Sequence, residues 1–199
     1  MTPTLTAPGQ ALAQLSLAKQ AALVLASTVV IAIAAQVSVP FFPVPMTLQT
    51  LAILGVGFAL GARLATITLI TYLAEGALGA PVFANFGNGA ALVGPTAGFL
   101  FGFVGLAFLA GLATDRGITG PVKLSLVGMA ASLALYVPGL AWPMGVAGAM
   151  GLSVYGADLS FAALADVFMV PFLIGDMVKA VIAAILVSGG LSILQARKS

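Results

Sequence analysis

From Ala21 to Gln195 the chain passes through one apolar stretch after another, parted by turns as short as Gly61-Ala62-Arg63. Such a chain has little with which to face water: 6% of its 199 residues are charged, against about 25% in soluble domains. In lipid, every backbone polar group must be satisfied within the protein, which favours helices across the membrane. The expected fold class is an all-α integral membrane protein, a single membrane domain over residues 1–199.

Punctuation by charge, glycine and proline divides the chain into six expected spans, at about 21–36, 48–61, 64–75, 95–114, 123–140 and 171–194. Residues 1–18 carry no charge and read as a mobile tail. Ala18, Ala22 and Ala26 recur every four residues and make a smooth stripe, the kind of face that lets helices approach closely in lipid. Three prolines within Pro40–Pro45 forbid a regular helix there and favour a stiff, extended loop. Gly76–Val93 is a second loop, rich in glycine, with Asn85 and Asn88 as its amide groups. Gly98, Gly102 and Gly105 suggest tight packing along the fourth span. Tyr136 and Trp142 sit where an interfacial aromatic belt would place them. Ala141–Met169 reads as a long loop in which Ser160 could cap a short surface helix.

The six expected spans put Lys19, Arg63, Arg116, Lys123, Arg197 and Lys198 at one membrane face and Glu75, Asp158 and Asp166 at the other. The positive-inside rule makes the first face cytoplasmic, with both termini inside. The Gly- and Pro-rich loops then lie outside.

The stretch Pro171–Lys179 departs from the rest, because it places Asp176 and Lys179 within the last span. Positions i and i+3 share a helix face. A charge at the centre of a span costs about 2.5–3.5 kcal/mol on insertion scales, less toward its end. Two such charges argue for use, although a pair that merely neutralises itself is the alternative. Lys179 can bind a carboxylate, Asp176 accepts N–H donors, and Asn85, Asn88, Thr47 and Gln49 both donate and accept. Thr47 and Gln49 read equally well as interfacial residues. Phe41, Phe42, Phe83 and Phe86 offer apolar walls. Apolar walls with a few convergent polar groups are the usual make-up of a small-molecule pocket. The cargo this suggests is a small, partly apolar anion with amide-like hydrogen-bonding groups.

With no Cys and no His, thiol chemistry, soft-metal sites, haem ligation and His-based catalysis are excluded. No metal or cofactor is expected. A dispersed net charge of +2 gives nucleic acid no basic patch. An intramembrane enzyme using Asp176 is the rival class, but Leu173-Ile174-Gly175-Asp176 lacks the first glycine of the intramembrane aspartyl protease motif and has no second carboxylate within a span. A binding subunit energised by partners fits the length better than a self-sufficient transporter or a catalyst.

Five segments, Pro40–Thr50, Leu60–Arg63, Gly79–Ala84, Gly94–Phe99 and Pro171–Lys179, resemble the BioY family in order and content over roughly residues 20–195. These are the biotin-specific substrate-binding subunits (S-components) of energy-coupling-factor (ECF) transporters. Bulkier residues at Asn85–Gly89 depart from the glycine-rich loop of many relatives. The resemblance implies a six-helix subunit of the bacterial inner membrane that captures biotin at its outer face and takes no part in catalysis. Its partners would be a transmembrane coupling subunit, two cytoplasmic ATPase subunits and membrane lipid; self-association is also allowed. Ala18, Ala22 and Ala26 map onto the alanine stripe that meets the coupling subunit, and Pro40–Pro45 onto the gate over the site. Biotin would offer its valerate carboxylate to Lys179, its ureido N–H groups to Asp176 and its ureido carbonyl to Asn85 or Thr47, or sit the opposite way round. Another small carboxylate vitamin is the alternative cargo.

Overall fold

The computed structural model describes residues 8–42 and 44–196, with side chains over 9–42 and 44–190. Expectations for residues 1–7, Pro43, Arg197 and Lys198 lie outside the described residues. The chain is helical nearly throughout: α1 (Pro8–Ala13), α2 (Leu17–Gln36), α3 (Gln49–Ala77), α4 (Ala97–Asp115), α5 (Pro121–Ala141), α6 (Ala147–Ala149), α7 (Phe161–Phe168) and α8 (Leu173–Ala196). Among the described residues, five helical stretches are long and apolar enough to cross a membrane. The one piece of sheet among the described residues pairs β1 (Ser38–Val39) with β2 (Met46–Thr47), antiparallel, across the proline-rich segment.

Helix α3 covers two of the expected spans and is not straight. Gly61 has φ 77° and ψ 169°, outside the helical region, a conformation that glycine reaches without a side-chain clash. The helix doubles back there. Gln49 and Tyr72 would stand about 35 Å apart along a straight helix, yet the Gln49 amide donates to the Tyr72 hydroxyl at 2.9 Å. The two arms, 49–60 and 62–77, therefore form a hairpin.

Asp115, at the end of α4, clasps this reversal. Its Oδ2 accepts from Ala62 N–H at 2.8 Å and its Oδ1 from Gly9 N–H at 3.2 Å. The first bond satisfies a free donor at the start of the second arm, where a negative charge also favours the helix dipole. The second ties down α1. Leu12 packs on the core, and Gln20 donates to the carbonyls of Ala13, the last residue of α1, and of Leu15 just beyond it. The expected tail is thus helical and anchored over 8–13. The sequence reading missed this because Asp115 lies 106 positions from Gly9.

Small residues set the spacing of the bundle. A side chain on Gly57 would meet Ala110 Cβ at 2.6 Å, so the first arm of α3 lies directly on α4. Gly98 and Gly102 face Pro138, Leu135 and Trp142 of the α5 segment in the same way, as expected of small-residue packing in lipid. Gly105 does not: a side chain there would point into open space.

Beyond α5 the chain stays helical through Trp142–Val146, in a wider π turn, and on through α6. This corrects the loop expected from Ala141. Pro143 stands near the start of the π turn, where its missing N–H breaks no regular bond, rather than ending the helix. Ser160 caps α7 through a hydrogen bond from Ala163 N–H at 3.3 Å, as read from the sequence. Helix α2 meets the rest mainly through a narrow buried stripe, Gln20, Val24, Thr28, Ile31 and Ala35, and leaves most of its circumference exposed.

Asp115→Ala is expected to lower stability by about 2 kcal/mol, since two hydrogen bonds to a charged acceptor are lost at a partly exposed site. Thermal unfolding in detergent checks this. An unchanged transition would remove the clasp from the account of the hairpin.

Candidate functional site

At the end of the bundle that carries the β pair, α3, α4, α5 and α8 surround a cavity of about 250 Å³. Asp176 and Lys179 form part of its wall, and both are buried, at 4% and 8% exposed. One turn of α8 brings them together, with Lys179 Nζ 3.0 Å from Asp176 Oδ1. The carboxylate has two further donors. Thr50 Oγ1 donates to Oδ1 at 3.0 Å, and the Tyr136 hydroxyl donates to Oδ2 at 2.6 Å. Three helices thus converge on one carboxylate. A buried ion pair is tolerable when hydrogen bonds occupy the remaining lone pairs, and this one is held in that way. Among the described residues, Asp176 is the sole partner of Lys179, so two of the ammonium's donors remain for a guest.

Gln49, the first residue of α3, and Thr47, the last of β2, also line the cavity. Their polar atoms are largely engaged: Gln49 N–H donates to Thr47 Oγ1, the Thr47 hydroxyl donates to Gln49 Oε1, and Gln49 Nε2 donates to Tyr72. The Tyr72 hydroxyl passes the chain on to the Val82 carbonyl at 2.7 Å. Both residues therefore brace the loop and hairpin as well as facing the cavity.

That loop supplies Phe83 and Asn85 to the wall. Phe83 is 1% exposed, edge-on to Tyr72 at 5.3 Å. It also lies over Gly76, where any side chain would collide with its ring. Asn85 and Phe86 both have positive φ, at 55° and 57°. Asn tolerates this region; for an ordinary L-residue it costs about 1–2 kcal/mol. The side-chain amide of Asn85 has no protein partner among the described residues, which leaves it available to a guest.

Asn88 is not in the wall. Its side chain accepts from Ala90 N–H at 3.3 Å and caps the short turn Gly89–Val93. Capping is the ordinary use of an exposed Asn before a turn, and it removes Asn88 from the group of candidate contacts.

The aromatic walls also differ from those expected. Phe86 is 70% exposed, and Phe41 and Phe42 lie outside the cavity, tilted against Phe172 at 5.9 Å and edge-on to Tyr155 at 5.1 Å respectively. The rings that line it are Phe99 and Phe103 of α4, Phe168 of α7 and Phe172 just before α8, together with Phe83. Phe99 and Phe103 are an i,i+4 pair within α4, a spacing visible in the sequence that places both rings on one side, whereas Phe168 and Phe172 are parted by the non-helical Met169 and meet only through the fold. Tyr136 is the larger omission. At 4% exposed it is no interfacial belt residue, and neither is Trp142, whose indole N–H donates to the Gly94 carbonyl at 2.9 Å. Both polar tips find partners inside the protein, as buried Tyr and Trp usually do.

The arrangement offers an apolar, aromatic-lined chamber with one neutralised ion pair and a free amide. It can hold a small molecule that is largely apolar and carries paired hydrogen-bond donors and acceptors.

Asp176→Leu should destabilise the protein by about 3–5 kcal/mol, because it strands Lys179 without a partner in an apolar wall. The double variant Asp176→Leu/Lys179→Met should be more stable than that single variant. Thermal unfolding of the set checks this, and equal stability of single and double variants would contradict it.

Comparison with known proteins gives a consistent result. Residues 5–196 match the model of the BioY family. A biotin transporter BioY from Thermotoga maritima is 37% identical over 160 residues, covering 80% of this chain and 88% of that protein. A probable biotin transporter BioY from Pyrococcus horikoshii is 33% identical over 170 residues, covering 85% and 94% respectively. The same fold occurs in the crystal structure of the S-component for biotin from an ECF-type ABC transporter, with a TM-score of 0.71 and 22% identity over 93% of this chain and 95% of that one.

Proposed function

The chain belongs to the BioY family, and on that premise we propose that it captures biotin in the cavity under the β pair and passes it on as a subunit of an ECF-type transporter. It is a multi-pass integral membrane protein. The observation that carries the reading is the cavity itself, with the buried Asp176–Lys179 pair in its wall. An enzyme is not favoured, since the relatives are named as transporters.

The geometry bears on how biotin would lie. Lys179 is already neutralised by Asp176, so a carboxylate brought to this pair would leave an excess buried charge. The ureido ring is neutral and presents C=O beside N–H. It can accept from the spare donors of Lys179 and donate to the remaining lone pair of Asp176. The proposal therefore places the ureido group at the pair, the opposite of the first orientation drawn from the resemblance. The thiophane ring and chain would rest against Phe83, Phe99 and Phe168, with Asn85 as a further polar contact.

Two arms of α3 that each cross most of the membrane would make six spans with both termini on one side. Lys19, Arg63, Arg116 and Lys123 gather at the end of the bundle where Asp115 clasps the hairpin, while Glu75, Asp158 and Asp166 lie toward the other. By the positive-inside rule the clasp faces the cytoplasm and the cavity opens outward. Ala18, Ala22 and Ala26 are all exposed on the lightly packed α2. This stripe is the proposed contact for a transmembrane coupling subunit, which would link the chain to a pair of cytoplasmic ATPases.

Biotin should bind the purified protein in detergent, and Lys179→Ala and Asp176→Asn should each weaken it by about 1.5–3 kcal/mol, the range for hydrogen bonds to charged groups. Titration calorimetry measures this; a folded wild-type protein that ignores biotin would end the assignment. If the ureido group meets the pair, Lys179→Ala should weaken biotin and its neutral amide by the same factor. A larger loss for biotin itself would reverse the orientation.

Replacing Ala22 or Ala26 with Leu should leave biotin affinity unchanged and reduce recovery of the coupling subunit in co-purification. Undiminished recovery would rule the stripe out as the contact.

A further inference from the structure

Gln36, the last residue of α2, does not line the cavity, yet its amide grips the strained turn beside it from two sides. Nε2 donates to the Phe83 carbonyl at 3.0 Å, and Oε1 accepts from the Phe86 N–H at 3.0 Å. Between these points lie Ala84 and Asn85, both in the cavity wall. Asn85 and Phe86 are the two non-glycine residues with positive φ among those described. Beyond the buried Phe83 ring that anchors its start, the turn has few other restraints. Its own backbone bonds run from Phe83 N–H to the Gly87 carbonyl and from Gly87 N–H to the Ala84 carbonyl. Packing does little at its tip, since the Phe86 ring is 70% exposed. A side chain with both a donor and an acceptor, at the end of a neighbouring helix, is what opposes relaxation of Phe86 out of the left-handed region.

The other cover of the cavity hangs from the same helix end. Gln36 leads through Val37 directly into β1, and the Val37 carbonyl accepts from Leu48 N–H at 3.1 Å. Met46 and Thr47 of β2 line the cavity from that side.

We infer that Gln36 is a positioning residue of the binding site: its amide holds the Ala84–Asn85 segment in the cavity wall, so that ligand affinity depends on where the end of α2 stands. The inference rests on the reading of this cavity as the biotin site. It adds a residue that touches no ligand, and it joins the helix proposed to meet the coupling subunit to the roof of the cavity. A shift of α2 against α3 pulls on both covers together.

The test uses the full-length protein in detergent, with Gln36→Ala and Gln36→Ala/Phe86→Gly beside the wild type. Biotin affinity and dissociation rate are measured, with the fluorescence of Trp142, the single tryptophan, as one readout. Hydrogen exchange of the 83–87 amides is followed without ligand. Gln36→Ala should bind biotin on the order of tenfold more weakly, mainly through faster dissociation. Phe86→Gly should restore most of that loss, because glycine keeps a positive φ without the clamp. A general loss of fold would not be rescued by adding a glycine. Exchange at 83–87 should quicken in Gln36→Ala while the helices keep their protection. Unchanged affinity, absent rescue or unchanged exchange overturns the inference. A folded wild type that does not bind biotin overturns the function instead, and exchange at 83–87 then decides the clamp by itself.

Discussion

A carboxylate and an ammonium 3.0 Å apart in the wall of an apolar bundle set the terms for everything around them. Neither can be left alone there. The bundle answers by bringing Thr50 from α3 and Tyr136 from α5 onto the same carboxylate. Those bonds tie three helices together at one end of the protein and leave the rest of the chamber lined by rings. The same feature stabilises the pair and shapes what the chamber could accept. A guest must be mostly apolar, and its polar groups must fit a pair whose charges already cancel.

The opposite end of the bundle depends on a different charge. Asp115 holds the reversal at Gly61 and the start of α1 with backbone donors that no helix could satisfy internally. Between these two anchors the contact faces are mostly small residues and aliphatic side chains. There is little hydrophobic driving force between helices in lipid, so close approach at Gly57, Gly98 and Gly102 carries the packing. Helix α2 is the exception, attached by a single narrow stripe and by Gln36 at its end. That attachment joins the covers of the cavity to a helix whose outer face is mostly exposed.

Much of this was legible in the chain. Apolar runs between short polar turns gave the helices, Gly61 gave the reversal, and the prolines after Gln36 gave an extended segment rather than a helix. Ser160 announced its cap. Asp176 and Lys179 stood out because charge is costly in such a segment, and their i,i+3 spacing made them a pair. Other readings failed for a common reason. Tyr136 and Trp142 looked interfacial because local hydropathy cannot say whether a polar tip meets headgroups or a partner 40 or 48 residues away. Asn88 looked like a contact because its amide was judged by type and not by the turn it caps.

The sequence by itself determined the solvent the protein lives in, the order of its helices, the two loops that meet at the cavity and the charged pair in its wall. These follow from composition and from interactions a few residues apart, which the covalent chain dictates. The tertiary structure alone decided which rings form the chamber, that Asp176 is shared among three helices, and that Gln36 and Asp115 bind backbone far away in the chain. Those contacts depend on how helices lean on one another, and spacing along one helix carries no information about its neighbour.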